Sequence, residues 1–360
     1  MITSAYIHIP FCKRKCKYCT FSSYPQIQFK ETYLNALIEE ISARYKKEKL
    51  KTIYIGGGTP SLLSAENINN ILSVLNFDEN TEITCEANPE STSEKWLKEI
   101  KDIGVNRLSI GVQSFNDKIL KSIGRKHSVK EAFEAVLNAK KAGFSNISVD
   151  LIYGLPNQEI SDVSTSTITA CELGIQHIST YGLKIEQGSF FYKNPPKNLP
   201  TEENQADMYM KIVELTKKYG FNHYEISNFS QKGFESKHNL NYWKAKEYYG
   251  FGCAASGYEK GIRYSHEKTI VKYCKNPTKI TEKEKLSEQT KLEETIFLGL
   301  RKSEGININQ INKKYNIDFE KKYLKTLKKY SEYLIKTKKG YCFNNQGFLI
   351  SNYILSEFID

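Results

Sequence analysis

Three cysteines in one short loop, Cys12, Cys16 and Cys19, are the residues whose type and spacing most directly imply chemistry. Thiolates are soft ligands suited to iron–sulfur clusters. A short loop bearing three of them can hold one cube of iron and sulfide while leaving one iron without a protein ligand. The apolar stretch Ala5-Tyr6-Ile7-His8-Ile9-Pro10-Phe11 runs straight into this loop and reads as a strand. Two other readings stand beside it: a structural zinc site with His8 as fourth ligand, and three unrelated buried thiols. Structural zinc sites usually pair cysteines from two knuckles, and a second Cys-x-x-Cys is missing. Cys85, Cys171, Cys253, Cys274 and Cys342 are dispersed over separate elements and are expected to take no part in a cluster.

Two further stretches carry chemical potential. Gly56-Gly57-Gly58-Thr59-Pro60 halts a strand with residues that leave the backbone open to a ligand, although the same run also reads as a turn. His238-Asn239-Leu240-Asn241-Tyr242-Trp243 offers a ligand nitrogen, a phenol and flat aromatic surface. The plainer reading is a buried aromatic turn whose His238 bonds to backbone.

The elements that must position these residues follow from periodicity. Helical spacing over 29–49 puts Tyr33, Leu34, Leu37, Ile38 and Ile41 on one side. Strands are expected at 52–55, 82–87, 107–111, 146–152 and 177–183, alternating with helices at 65–75, 93–103, 116–123, 129–142, 162–173 and 202–219. Six strand-and-helix units require a parallel sheet with right-handed crossovers, open or curled toward a barrel, whose sites lie at the strand C-terminal ends. Residues 1–220 form this core. Residues 221–285 loosen into strands and a loop packed beside it. Residues 286–360 return to helices at 290–300, 308–315 and 319–333, then a hairpin of 340–343 and 348–350. That order predicts a small winged-helix-like appendage used for packing or contact with other proteins.

With 360 residues, 39% apolar and 26% charged, the chain can bury a large core. It has no apolar run long enough for a membrane span and no basic-then-apolar leader, so a cytoplasmic protein with reduced thiols is expected. The formal charge of +11 comes from lysines spread along helical faces, which reads as solvation. No base-stacking or phosphate-loop signature supports nucleic-acid binding.

The Cys-x3-Cys-x2-Cys spacing, with Tyr18 directly before the third cysteine, resembles the cluster motif of the radical S-adenosylmethionine (SAM) superfamily. The resemblance implies an α/β fold, a partial (β/α)6 TIM-like barrel. It also implies a [4Fe-4S] cluster on Cys12, Cys16 and Cys19, with SAM on the fourth iron. Over nearly its whole length the chain is similar to the coproporphyrinogen III dehydrogenase subgroup, with the segment Asp150-Leu151-Ile152-Tyr153-Gly154-Leu155-Pro156 as one marker. By matched motif, the SAM contacts would be Tyr6, Tyr18, Gly57, Gly58, Thr59, Glu86, Gln113, Arg125 and Asp150, with Lys184 a weaker match. Glu86, Gln113 and Asp150 offer acceptors for ribose hydroxyls or an ammonium, and Arg125 offers a guanidinium for a carboxylate.

Two departures set the branch. Phe21 stands where the dehydrogenases carry a further cysteine, and the first strand begins at once where they have an N-terminal extension. The His238 to Trp243 motif resembles that of HemW-type haem chaperones, as do Gly250-Phe251-Gly252-Cys253-Ala254-Ala255-Ser256-Gly257 and Leu298-Gly299-Leu300-Arg301. This resemblance implies haem held through His238 or Tyr242 and passed to acceptor haem proteins such as respiratory-chain components, with no catalytic residue. Cluster and SAM would then serve structure, dimerisation or release. It leaves homodimerisation and peripheral membrane association open. The alternative is an oxygen-independent coproporphyrinogen III dehydrogenase, or another radical SAM enzyme acting on a porphyrin-type substrate, in which SAM is cleaved reductively to a hydrogen-abstracting 5′-deoxyadenosyl radical.

Overall fold

The computed structural model describes residues 1–359; Asp360, the last residue of the expected appendage, lies outside the described residues. The chain opens with β1 (Ser4–Ile9), the loop carrying the three cysteines, and helix α1 (Lys30–Arg44). It continues through β2 (Thr52–Gly57), α2 (Ala65–Leu72), β3 (Glu82–Ala87), α3 (Glu94–Asp102) and β4 (Arg107–Gln113). Then come α4 (Asp117–Ser122), α5 (Val129–Lys141), β5 (Ile147–Tyr153), α6 (Ile160–Glu172) and β6 (His177–Gly182). Strands β1 to β6 lie side by side in chain order, all parallel.

Register gives the two faces of this sheet opposite characters. Ile7, Ile53, Ile55, Ile83, Cys85, Leu108, Ile110, Val149 and Ile178 point one way and are buried under the helices. The intervening residues point the other way, and the pairings align Tyr6 with Tyr54, Glu86 with Ser109, Gly111 with Asp150, and Asp150 with Ser179. Tyr54 and Tyr181 stand on strands four positions apart, about 19 Å in a flat sheet at the usual strand spacing. Both nevertheless line one cavity, so the sheet curls around its polar face into a partial barrel. Ser64, Ser93, Asn116 and Ser128 cap the helices that cross over between strands.

After α7 (Phe190–Lys193) and α8 (Glu202–Lys218), strands β7 (Asn222–Glu225) and β8 (Asn228–Ser230) continue the sheet antiparallel beyond β6. The chain then passes through α9 (Lys237–Trp243), and β9 (Tyr249–Phe251) pairs parallel with β1 at the opposite edge. The 221–285 segment therefore supplies strands to both edges of the sheet as well as packing beside it. Strands β10 (Ser256–Glu259), β11 (Ile262–His266) and β12 (Ile280–Lys285), with α10 (Ile270–Lys275) between the last two, make a separate antiparallel sheet.

The C-terminal part contains α11 (Glu288–Leu300), β13 (Ile306–Asn307), α12 (Ile308–Tyr315), α13 (Phe319–Lys322) and α14 (Leu324–Lys329). It ends with β14 (Leu334–Lys336), β15 (Gly340–Phe343), α15 (Asn345–Leu349) and α16 (Ser351–Ser356). Two expectations change here. The helix expected over 319–333 is two short helices, and the hairpin pairs β14 with β15, while Phe348 and Leu349 lie in a helix. Asn344 caps that helix by accepting from Gly347 N–H, so the 344–347 segment starts a helix and does not turn a hairpin. Among the described residues, no helix is long and apolar enough to cross a membrane.

Candidate cofactor cavity and barrel floor

The strand C-terminal ends open into a cavity of about 500 Å³. Cys12, Cys16 and Cys19 line it, held by a loop fixed at both flanks. Cys12 N–H donates to Tyr24 O (3.1 Å), Lys17 N–H donates to Ile123 O (3.0 Å), and the Lys17 ammonium donates to Ser122 O (2.9 Å) at the end of α4. Asn88 donates to Thr59 Oγ1 (3.1 Å), and the Thr59 hydroxyl lies 3.4 Å from Cys12 Sγ, where it donates to the thiolate form. Arg125 Nη1 lies 3.7 Å from Cys16 Sγ. Burial pushes the Cys12 thiol up and the Cys19 thiol to about 11, so keeping them as thiolates calls for positive charge in the cavity.

These donors fit a multi-iron cluster better than a single zinc ion. Among the described residues, no three His, Cys, Asp or Glu side chains converge as a mononuclear site requires. His8 is also committed: Tyr6 O–H donates to its Nδ1 (2.9 Å) and its Nε2 donates to Ser22 O (2.9 Å), while burial lowers its pKa. Tyr6 itself sits behind the cavity wall, stacked on Tyr54, and does not line the cavity.

Of the other residues expected to contact SAM, Tyr18, Gly57, Gly58, Thr59, Glu86, Gln113, Arg125, Asp150 and Lys184 do line it. The glycine loop owes much of its composition to packing. Gly57 has φ +111°, and a Cβ there would lie 2.4 Å from the His8 ring; a Cβ on Gly58 would meet Phe11 O at 2.5 Å. Gly57 N–H donates to Glu86 Oε2 (3.0 Å), and Tyr54 O–H donates to Glu86 Oε1 (2.7 Å). Burial, with a contribution from Asp150, pushes Glu86 up to about 7. Asp150 is raised by burial too, with Ser109 bonded to both its oxygens at 3.0 Å. Gln113 holds φ +69°, and its amide makes no hydrogen bond with the described residues, so it is free to meet a ligand. Arg125 donates to Asn88 Oδ1 (2.8 Å) and to Gly111 O. Burial opposes its charge, but Tyr18, Cys16 and Glu90 hold the pKa above its ordinary value.

The other end of the barrel is closed by α9. Glu82, at the start of β3, accepts from Lys237 and His238 N–H (3.1 Å each), taking up two donors of the first helical turn. His238 is 1% exposed. Since Thr52 O–H donates to Ser4 (2.8 Å), His238 Nδ1–H donates to Thr52 Oγ1 (2.9 Å). Its Nε2 then accepts from Tyr242 O–H (2.8 Å). Both nitrogens are engaged, and burial followed by the nearby Arg107 charge lowers the pKa to about 3. The structure therefore does not bring His238 and Tyr242 to the cavity. As folded, the ring offers no free lone pair to an iron, and ligation would require breaking the bond to Tyr242.

Sequence reasoning missed Tyr54, Asn88, Ser109 and Arg107. The first three are polar residues on strands or at a strand end, and inward alternation between Ile53 and Ile55, or Leu108 and Ile110, was the available signal. Arg107 is 2% exposed, and its Nε has no hydrogen-bond partner. Its charge acts on Glu86 and Asp150 above and on His177 and His238 below, linking floor to cavity.

Comparison with known proteins extends this picture. The radical SAM superfamily model matches residues 6–166, and the HemN C-terminal domain model matches residues 286–350. The chain is 40% identical over 368 residues to haem chaperone HemW of Lactococcus lactis, covering 99% of this chain and 97% of that one. It is 37% identical over 374 residues to HemW of Bacillus subtilis, covering 99% of each. Among solved structures, coproporphyrinogen III oxidase HemN from Escherichia coli superposes with a TM-score of 0.87 at 21% identity, over 99% of this chain and 90% of that one. That likeness establishes a shared α/β radical SAM fold with a C-terminal domain.

Proposed function

The chain belongs to the HemW family of the radical SAM superfamily, and from that premise we propose that it binds haem and passes it to acceptor haem proteins. The observation that carries this reading is similarity to proteins named haem chaperones across 99% of the chain. Cys12, Cys16 and Cys19 would hold a [4Fe-4S] cluster. Tyr18, the loop Gly57 to Thr59, Glu86, Gln113, Arg125, Asp150 and Lys184 would receive SAM. Such a cluster with SAM supplies one-electron chemistry when reduced. The chain's own contribution is to orient the ligand between Arg125 and the acidic wall of Glu86 and Asp150, and to shield it from water.

The acceptors on this reading are haem proteins such as respiratory-chain components. The protein would work in the cytoplasm and meet membrane-bound acceptors peripherally, as monomer or homodimer. A second reading, oxidative decarboxylation of coproporphyrinogen III or a related porphyrin-type substrate, is favoured by one observation. The cavity keeps its cysteine loop, Arg125 and both buried carboxylates together.

One experiment separates the two. The cluster is reconstituted anaerobically and SAM and reductant are added; 5′-deoxyadenosine is then measured with and without coproporphyrinogen III, alongside haem transfer to an apo-haem protein. Haem transfer without decarboxylation is the expected result. Decarboxylated product would overturn the chaperone reading.

A further inference from the structure

Helical geometry turns each residue of α9 about 100° from the last. His238 is thereby committed to the barrel floor, while Trp243 reaches a different place. Trp243 lines a second cavity, of about 390 Å³, between the end of α9 and the C-terminal part, and this cavity shares no lining residue with the cofactor cavity. The indole N–H of Trp243 has no acceptor among the described residues. The opposite wall comes from α11, β13 and α12. Gly299 and Gly305 keep it close-packed, since a Cβ on Gly299 would lie 2.5 Å from Ile306 Cγ2.

Charge around this cleft is one-sided. Lys302, 7% exposed, is paired with Glu304 at 2.5 Å. Lys244, Lys314 and Lys339 also line the cleft, are exposed, and form no ion pair among the described residues. Glu304 is the one carboxylate in the lining and is shared among Lys302, Lys244 and Lys339, while the Lys314 ammonium lies over the Tyr315 ring at 4.7 Å. An aromatic side chain beside this excess of ammonium groups is complementary to a planar ligand carrying carboxylates. No His, Cys or Met lines the cleft, and the one phenol, Tyr315, is bonded to Thr295 Oγ1 (2.7 Å) and Lys291 O (2.9 Å).

Resting on the haem-chaperone reading, we propose that this cleft is the haem seat: the macrocycle stacks on Trp243, its propionates meet Lys244, Lys314 and Lys339, and the iron takes no side-chain ligand from the cleft. Cargo held by ring face and carboxylates, with the metal uncommitted, can be surrendered to an acceptor that supplies a strong axial ligand. The His238 to Trp243 motif then contributes by anchoring α9 to the floor and presenting its final residue.

The test titrates the full-length protein with iron(III) protoporphyrin IX, metal-free protoporphyrin IX and the dimethyl ester of the latter, following both porphyrin absorption and tryptophan quenching. Haem and the metal-free porphyrin are expected to bind with affinities within a few-fold of each other, and the ester more weakly. Trp243→Leu should weaken binding about tenfold, the scale of one aromatic stacking contact. The surface pair Lys314→Glu with Lys339→Glu, which does not touch the core, should weaken it at least as much and flatten its salt dependence. Unchanged haem affinity in both variants would overturn the seat while leaving the chaperone reading standing, as would failure of the metal-free porphyrin to bind. Absence of haem binding to the unaltered protein would overturn both.

Discussion

Lowering the pH from 8 to 6 should weaken SAM binding about tenfold, with Glu86 responsible. Its carboxyl sits near 7 in the folded chain, raised by burial and by Asp150, against Tyr54 O–H, Gly57 N–H and the more distant Arg107, all of which favour the anion. About nine in ten molecules are ionised one unit above that value and about one in ten one unit below it. If the ligand's cationic groups are met by the carboxylate, apparent affinity follows that fraction, and binding near pH 7 releases a proton. Calorimetric titrations in two buffers of different ionisation enthalpy read that proton directly. Glu86→Gln keeps the shape and a hydrogen bond to Tyr54, and should hold the affinity at its low-pH value throughout. The same group leaves a mark on stability. Between 4.5 and about 7 the folded chain keeps a proton that the unfolded chain has lost, so stability falls as pH rises through this window. The loss is roughly 3 kcal/mol and is complete above pH 7. Glu86→Gln should recover most of that stability at pH 8 in the ligand-free protein. A wild-type SAM affinity that is flat from pH 6 to 8, or a Glu86→Gln protein that retains the slope, would refute the reasoning.

Other outcomes follow from the same geometry. Combined replacement of Cys12, Cys16 and Cys19 by Ala should abolish cluster absorption after reconstitution, whereas Ser at Cys85, Cys171, Cys253, Cys274 or Cys342 should leave it intact, as iron and sulfide analysis can verify. Thr59→Val removes the hydroxyl donated to Cys12 and should shift the cluster's reduction potential to more negative values, measurable by a redox titration; an unmoved potential would mean that the Thr59 contact is incidental. Gly57→Val forces a branched residue into φ +111° against the His8 ring and should cost upward of about 2 kcal/mol, seen as a lower denaturation midpoint even without SAM. His238→Ala strips partners from the hydroxyls of Thr52 and Tyr242 and should cost about 2–4 kcal/mol of stability, while the spectrum of bound haem stays that of the unaltered protein.

Much of this architecture could be read from the chain because the barrel strands alternate strictly. In Ile53-Tyr54-Ile55 and Leu108-Ser109-Ile110 the apolar partners face helices whatever the rest of the fold does, so strand identity is a local property. The cysteine loop was legible as a unit because its three thiols are neighbours in sequence, and they do line one cavity. Helix α9 was not. It is seven residues long and rich in Asn and aromatics, and its first turn is satisfied by Glu82, a residue more than 150 positions away. The role of His238 was hidden with it, because only the fold reveals that Tyr242 occupies its second nitrogen. The break at Tyr323 between α13 and α14, and the pairing of β14 with β15, depend equally on tertiary packing. The aromatic cluster of Phe319, Tyr323 and Phe358 joins residues up to 39 positions apart.

The alternation of the barrel strands also divides the fold's mutational risk. One set of residues, among them Ile7, Ile53, Ile110 and Val149, is buried against helices, where deleting a few methyl groups costs several kcal/mol. The other set, including Tyr54, Glu86, Ser109 and Asp150, faces the cofactor cavity, and burial there raises its two carboxyls. At Glu86, exchange for an uncharged residue of the same shape relieves a cost. A lineage built on such a scaffold can therefore alter that part of the cavity wall without first acquiring spare stability. The three thiols and the glycine turn packed on His8 are where that freedom ends.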